Sequence, residues 1–546
     1  MKRPIRYLAL CLLIPVLVLA ACSSAGKETE APTEAPIEAP TEAPTQAPTQ
    51  ASTPAPTEAP TEAPTTAPAE EPFVTNLRTE KLTAEDMETP LLADGSPATV
   101  TLTTPCGALT GVQYPSYRLF KGVRYATAER WERAEEVTSW EGVYDATEWG
   151  DASPQHYGMF KAYGDQVTKF YAEEALYTRV TGFSEDCLNL NIWTPNEPDN
   201  CPVLIYIHGG SFINGANTDS STDGAAYAER DVILVSINYR LGMLGQAIGD
   251  GYTGNYHVTD MITAIHWVKN NIAAFGGDPS RIVISGESAG AAAVQDLVMS
   301  PYLEDGMICG AIMMSGGGDL QPNNPTNQAA LEKCWETVKK NRKVETMQEM
   351  LALTPAQIYS AWISVYVSNP YIDGDILPYT ATEALKNGTA KNIPVIIGVC
   401  SEDMTPLNFY TAATKYAADS AGVGNEPVYL YYFSRQQPDA DGKPCEFGAF
   451  HACDLYYFFG SLYRSYRPFT DIDYKLSETM MDYVVNFLKN GDPNGEGLPA
   501  WDPAVPGALK AINFDEEGVF MEAVDLTHLQ KQQSTGALFP YRHSDK

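Results

Sequence analysis

The chain has 546 residues, 44% of them hydrophobic, and a formal net charge of -33. Such an acidic chain has no basic face to offer, which argues against nucleic acid and anionic membrane surfaces as electrostatic partners. The length suits a large core, and large α/β enzymes exceed the usual residues-per-domain figure without being several domains.

Read in chain order, Lys2, Arg3 and Arg6 precede an apolar run, Tyr7 to Ala21, of signal-peptide length. The run is too short for a membrane-spanning helix. It ends in "LAAC", with Cys22 after small residues. This resembles the lipobox of bacterial lipoproteins, in which the cysteine is lipidated after cleavage. Residues 1–22 are therefore expected to be a lipoprotein signal segment. The protein would be exported and held at the cell surface by a lipid anchor on Cys22, its one membrane contact; simple secretion is the alternative. Within residues 23–72, Glu28 to Pro72 repeats "TEAP", "TQAP" and "TTAP". Proline every few residues forbids helix, and nothing apolar is left for a core. A disordered stalk over residues 23–72 is expected, its Glu28 to Pro72 repeat having an upper reach on the order of 140 Å at ~3.1 Å per residue. With its nine glutamates and four earlier basic residues set aside, residues 73–546 keep a charge of -28 and form the expected catalytic domain.

The globular part of this body is expected to begin near Ala93 to Thr104. "PVLIYIHGG" (Pro202 to Gly210), "DVILVSINY" (Asp231 to Tyr239), "RIVIS", "GAIMMSG", "PVIIGV" and "PVYLYYF" read as buried strands. Asp260 to Phe275 places Ile262, Ile265, His266, Val268 and Ile272 at helical spacing. Near-continuous apolar strands alternating with helices imply an α/β fold: a large, mostly parallel sheet covered on both faces. Reactive loops then sit at the carboxyl ends of the strands.

"RIVISGESAG" (Arg281 to Gly290) ends such a strand and opens an alanine-rich helix. A sharp strand-to-helix turn with small neighbours projects Ser288 over the sheet edge as a candidate nucleophile. A serine needs a base, and the base an orienting acid. Among the seven histidines, His451 in "GAFHACDLYYFFG" is the candidate downstream of Ser288 outside the polar tail. Between them "PVIIGVCSEDM" ends a strand in Glu402 and Asp403; the residue pattern alone leaves both open as the acid. "HGGSF" (His208 to Phe212) follows a strand and supplies backbone N–H groups for an oxyanion, as does Ala289. Eight cysteines lie beyond the export segment, without a CxxC pair or zinc-like histidine spacing, so no metal is expected.

Several stretches together resemble the type-B carboxylesterase/lipase family over about residues 98 to 540. They are "FGGDPSRIVISGESAG", "SEDCLNLNIWTP", "NYRLGMLG", "GNYHVTD" and "WVKNNIAAFGGDP". Asn189 stands where an aromatic residue or threonine is usual, and His257 where glycine is usual. The resemblance implies the α/β-hydrolase fold and a serine ester hydrolase acting through an acyl-enzyme. It implies Ser288 as nucleophile, His451 as base, and Gly210, Ser211 and Ala289 as oxyanion donors. Aligned on Gly398, Asp403 falls at the position of the family acid, which is normally glutamate; Glu402 is the runner-up. It further implies Glu287, Ser315 and Asp454 as a buried network behind the base, and an ion pair between Glu185 and Arg130. Cys187 lacks its family partner, because Ser153 stands there. The expected substrate is a small-molecule ester and no cofactor is called for; nothing in the residues selects an oligomeric state. Relatives that lost the nucleophile serve in adhesion, so the alternative reading is a surface-tethered binding module. The intact Ser288, Asp403 and His451 set weighs against it. Tyr366, Tyr371, Phe409, Tyr410, Tyr456, Tyr457, Phe458 and Phe459 could line an apolar pocket or pack a core.

Overall fold

The computed structural model describes residues 73–81, 89–155, 180–318, 325–362, 369–527 and 529–530. The expected signal segment, its anchor Cys22 and the stalk lie outside the described residues.

Thirteen strands join one sheet among the described residues. They are β1 (Thr99–Thr104), β2 (Gly107–Gln113), β3 (Tyr117–Arg124), β4 (Val143–Asp145), β5 (Asn189–Pro195), β6 (Cys201–Ile207), β7 (Ile233–Ile237), β8 (Gly277–Glu287), β9 (Gly310–Met314), β10 (Val395–Cys400), β11 (Val428–Phe433), β12 (Lys510–Asp515) and β13 (Gly518–Ala523). Across the sheet the order is β1-β2-β3-β5-β7-β6-β8-β9-β10-β11-β12-β13, with β4 beside β2. From β7 to β12 every neighbouring pair is parallel. The two margins are mainly antiparallel. This is the mostly parallel sheet expected from the apolar runs.

Those runs are continuous because both faces are covered. Val203, Ile205, Ile207, Ile282 and Ile284 enter one core, with Val258 and Ile265 of α1 (Tyr256–Asn271), Leu297 of α2 (Ala289–Met299) and Tyr416 of α3 (Pro406–Gly422). Their alternates Leu204, Tyr206 and Val283 enter a second core, with Met480, Val484 and Leu488 of α4 (Asp471–Asn490). A period of two thus feeds two apolar layers instead of one apolar and one wet face.

Two expectations shift. The helical pattern over Asp260 to Phe275 begins earlier, at Tyr256, and tightens into a 3-10 turn at Ile272–Phe275. Gly276, at φ 87°, then closes it in the left-handed region that glycine tolerates. His266 is not on the apolar stripe; it faces Glu304 at 3.0 Å. Within the expected 73–546 domain, the globular part also starts before Ala93. Leu77 is buried in the second core, and Thr75 Oγ1 and the Asn76 N–H donate to Glu478 at 2.8 and 2.5 Å. A lone leucine among polar residues has no periodicity to announce it.

Candidate active site

The turn from β8 into α2 holds Ser288 at φ 59°, ψ −122°, a strained conformation for an L-residue. Its N–H donates to the Met314 carbonyl at 2.9 Å and its carbonyl accepts from Ala292 at 3.1 Å. The flanking glycines are steric requirements. A Cβ on Gly286 would lie 2.3 Å from the Gly290 carbonyl carbon, and one on Gly290 would lie 2.1 Å from the Ile207 oxygen. Ala289 opens α2, so its N–H has no intrahelical acceptor.

The loop after β6 passes over this turn. A Cβ on Gly209 would meet the Glu287 carbonyl oxygen at 2.7 Å and Ser288 Cβ at 3.0 Å. Gly210, Ser211 and Phe212 follow with φ of 98°, 56° and 59°. Neighbours hold the curl: Ile213 N–H donates to the Gly210 carbonyl at 3.0 Å, and Gly242 N–H to that of Phe212 at 2.7 Å. The His208 ring stacks on Tyr239, whose hydroxyl donates to the His208 carbonyl at 2.8 Å. The Phe212 ring lies 5.1 Å from that of His257. His257 bonds the Gly245 carbonyl through Nδ1 at 2.7 Å, and burial lowers its pKa to about 4, so it stays neutral. This buttress under the loop was not foreseen; the histidine at a usual glycine position was the available signal.

The segment after β10 settles which carboxylate meets the histidine. Asp403 Oδ1 lies 2.7 Å from His451 Nδ1 and accepts the Met404 N–H at 2.7 Å. Glu402 turns away: its Oε2 accepts the Ala449 N–H at 2.8 Å and the Ser401 hydroxyl. The Glu402 N–H also donates to the Ala449 carbonyl at 3.0 Å. That backbone pairing draws the His451 loop against the strand end, so the shorter aspartate suffices.

His451 Nε2 faces Glu287 Oε1 at 3.1 Å. Ser288 Oγ itself makes no hydrogen bond among the described residues. Burial disfavours a charged His451, but Glu287 and Asp403 outweigh it and raise its pKa to about 10. Burial raises Glu287 to about 8, against the pull of His451. Glu287 Oε1 makes no hydrogen bond among the described residues, so its 3.1 Å contact with Nε2 is electrostatic.

Of the expected network, only Glu287 faces His451 directly. Asp454 accepts the Tyr431 hydroxyl at 2.8 Å, and burial raises it to about 6. Ser315 Oγ is buried without a hydrogen bond among the described residues. Arg130 and Glu185 pair, with Nε to Oε2 at 2.8 Å. Cys187 is a buried thiol that burial pushes up to about 12. Of the candidate aromatic residues, Phe409 reaches the site, its ring 5.9 Å from that of His451. Tyr371, Tyr410, Tyr456, Tyr457, Phe458 and Phe459 are buried core residues, and Tyr366 lies outside the described residues. Asn189 is absorbed by a buried amide cluster: it donates to the Asp151 carbonyl at 2.9 Å and accepts from Asn217 at 3.1 Å.

The model of the carboxylesterase family matches residues 98–421 and 404–530. A para-nitrobenzyl esterase of Bacillus subtilis (strain 168) is 27% identical over 471 residues, covering 73% of this chain and 91% of its own. A human cocaine esterase is 30% identical over 501 residues, covering 74% of this chain and 86% of its own. Among solved structures, a carboxylesterase of Geobacillus stearothermophilus superposes with a TM-score of 0.67 at 26% identity, over 79% of this chain and 99% of that one.

Proposed function

Because the chain belongs to the carboxylesterase family and is a carboxylic ester hydrolase, we propose that it cleaves its ester through an acyl-enzyme on Ser288, with His451 as base and Asp403 as orienting acid. The observation that carries this is the 2.7 Å contact of Asp403 with His451 beside the strained Ser288 turn. Asp403 accepts the Nδ1–H and so leaves Nε2 as the basic nitrogen. With substrate bound, Nε2 turns from Glu287 to Ser288 Oγ; such contacts often tighten only in the reacting complex. Oγ then attacks the ester carbonyl carbon while Nε2 takes its proton. The oxyanion rests on the N–H groups of Gly210, Ser211 and Ala289. Collapse expels the alcohol, which receives the proton from His451. Water activated by the same nitrogen releases the acid and restores Ser288.

Turnover of short- and long-chain aryl esters by the full chain, beside Ser288→Ala, tests this reading. The variant should lose about 10⁴-fold or more in kcat; equal turnover by both proteins would sink it. Anchoring at Cys22 is part of the same proposal, supported by the lipobox-like "LAAC". Radiolabelled lipid should be incorporated by the unmodified chain and lost in Cys22→Ala; label that persists refutes it.

A further inference from the structure

We propose that Cys400 and Cys453 form a disulfide that clasps the acid-bearing strand end to the base-bearing loop. Cys400 closes β10 three residues before Asp403, and Cys453 stands two residues after His451. Their sulfurs face one another at 3.9 Å, although the residues are 53 positions apart. Both side chains are 0% exposed and lie in one apolar core with Tyr431, Phe433 and Tyr457.

The chain around them is already held together. Glu402 N–H donates to the Ala449 carbonyl at 3.0 Å, and Gln437 Nε2 donates to the Cys453 carbonyl at 2.5 Å. A disulfide needs sulfurs about 2.05 Å apart. Closing the remaining gap requires the two side chains to turn toward one another. The cross-link would fix the spacing of the two segments that carry Asp403 and His451. It stands on the two sulfurs; only its catalytic consequence rests on the triad reading.

The chemistry is thiol–disulfide exchange with a small-molecule disulfide. The Cys453 thiolate attacks one reagent sulfur and releases one small thiol. The Cys400 thiolate then attacks Cys453 Sγ and releases the second. Two protein thiols are oxidised to one disulfide, the reagent disulfide is reduced to two thiols, and the two protein protons leave on them. Burial raises both thiols, Cys453 to about 12, so exchange belongs to the folding chain, before this core closes.

The test refolds the full chain with oxidised glutathione or with dithiothreitol, alkylates free thiols, and maps peptides without reduction. The oxidised sample should yield a peptide joining Cys400 to Cys453 that dithiothreitol abolishes. Reduction should lower Tm by about 5 °C, as expected for a long closed loop in a large domain. The Cys400→Ala/Cys453→Ala double variant should show no such dependence. Both cysteines alkylated after oxidation, either one joined elsewhere, or an equal Tm shift in the double variant would overturn the proposal. Should the double variant fail to fold, the peptide map of the unmodified chain decides alone.

Discussion

Asp403 receives one imidazole N–H and one backbone N–H, while its neighbour Glu402 is spent on the Ala449 loop. Asp403→Asn should therefore cut kcat by about 10³- to 10⁴-fold, since the imidazole loses its fixed tautomer. Glu402→Gln should instead lower Tm with a much smaller change in kcat. Steady-state kinetics and thermal melts of the two variants separate these roles. Glu287 Oε1 faces the other ring nitrogen of His451 at 3.1 Å. That carboxylate, with Asp403, holds His451 toward the imidazolium, with a pKa near 10 against the opposing effect of burial. An imidazolium cannot take the Ser288 proton, so kcat/KM should rise with pH. Glu287→Gln removes one of the two charges and should move the acid limb of that profile down by ~1 pH unit or more. At this scale the sequence offered residue types and spacing. It could not show that Nε2 rests on Glu287, or that Glu402 and Asp403 face opposite ways, because both depend on how two distant loops pair.

The elbow was legible as an element: an apolar run, glycines around a serine, then an alanine-rich helix. The glycine contacts give the reason, since an added Cβ on Gly290 would sit 2.1 Å from the Ile207 oxygen. Gly290→Ala must push β6 and α2 apart, and kcat/KM should fall by about 10²-fold or more, because a displacement near 1 Å costs that much. The motifs "NYRLGMLG" and "GNYHVTD" were legible as strings, but their joint purpose was not. Arg240 of the first meets Asp260 of the second, with Nε to Oδ2 at 2.8 Å and Nη2 to Oδ1 at 2.6 Å, both residues buried. Asp260→Ala strands the guanidinium and should cost about 3–5 kcal/mol, read as a fall in the denaturant midpoint. Pairing between elements far apart in the chain leaves no local periodicity, which is also why the packing of Phe73 to Lys81, ahead of the expected globular start near Ala93, left no local signal.

Over the whole molecule the composition predicted well what the sheet required. Continuous apolar strands meant two covered faces, and two separate cores supply them. The acidic balance has its own consequence. A body carrying -28 should draw cationic esters and repel anionic ones. Raising the salt concentration should lower kcat/KM for a cationic aryl ester and raise it for an anionic one, with a neutral ester nearly unaffected. The proposed reaction turns, however, on one atom, Ser288 Oγ. Its most direct test is to trap the full chain with a slowly hydrolysed aryl ester and map the adduct by mass spectrometry. The prediction is one acyl group per chain, on the peptide carrying Ser288, and none on Ser288→Ala. An acyl group on another residue, or an unchanged adduct in the variant, would contradict the account.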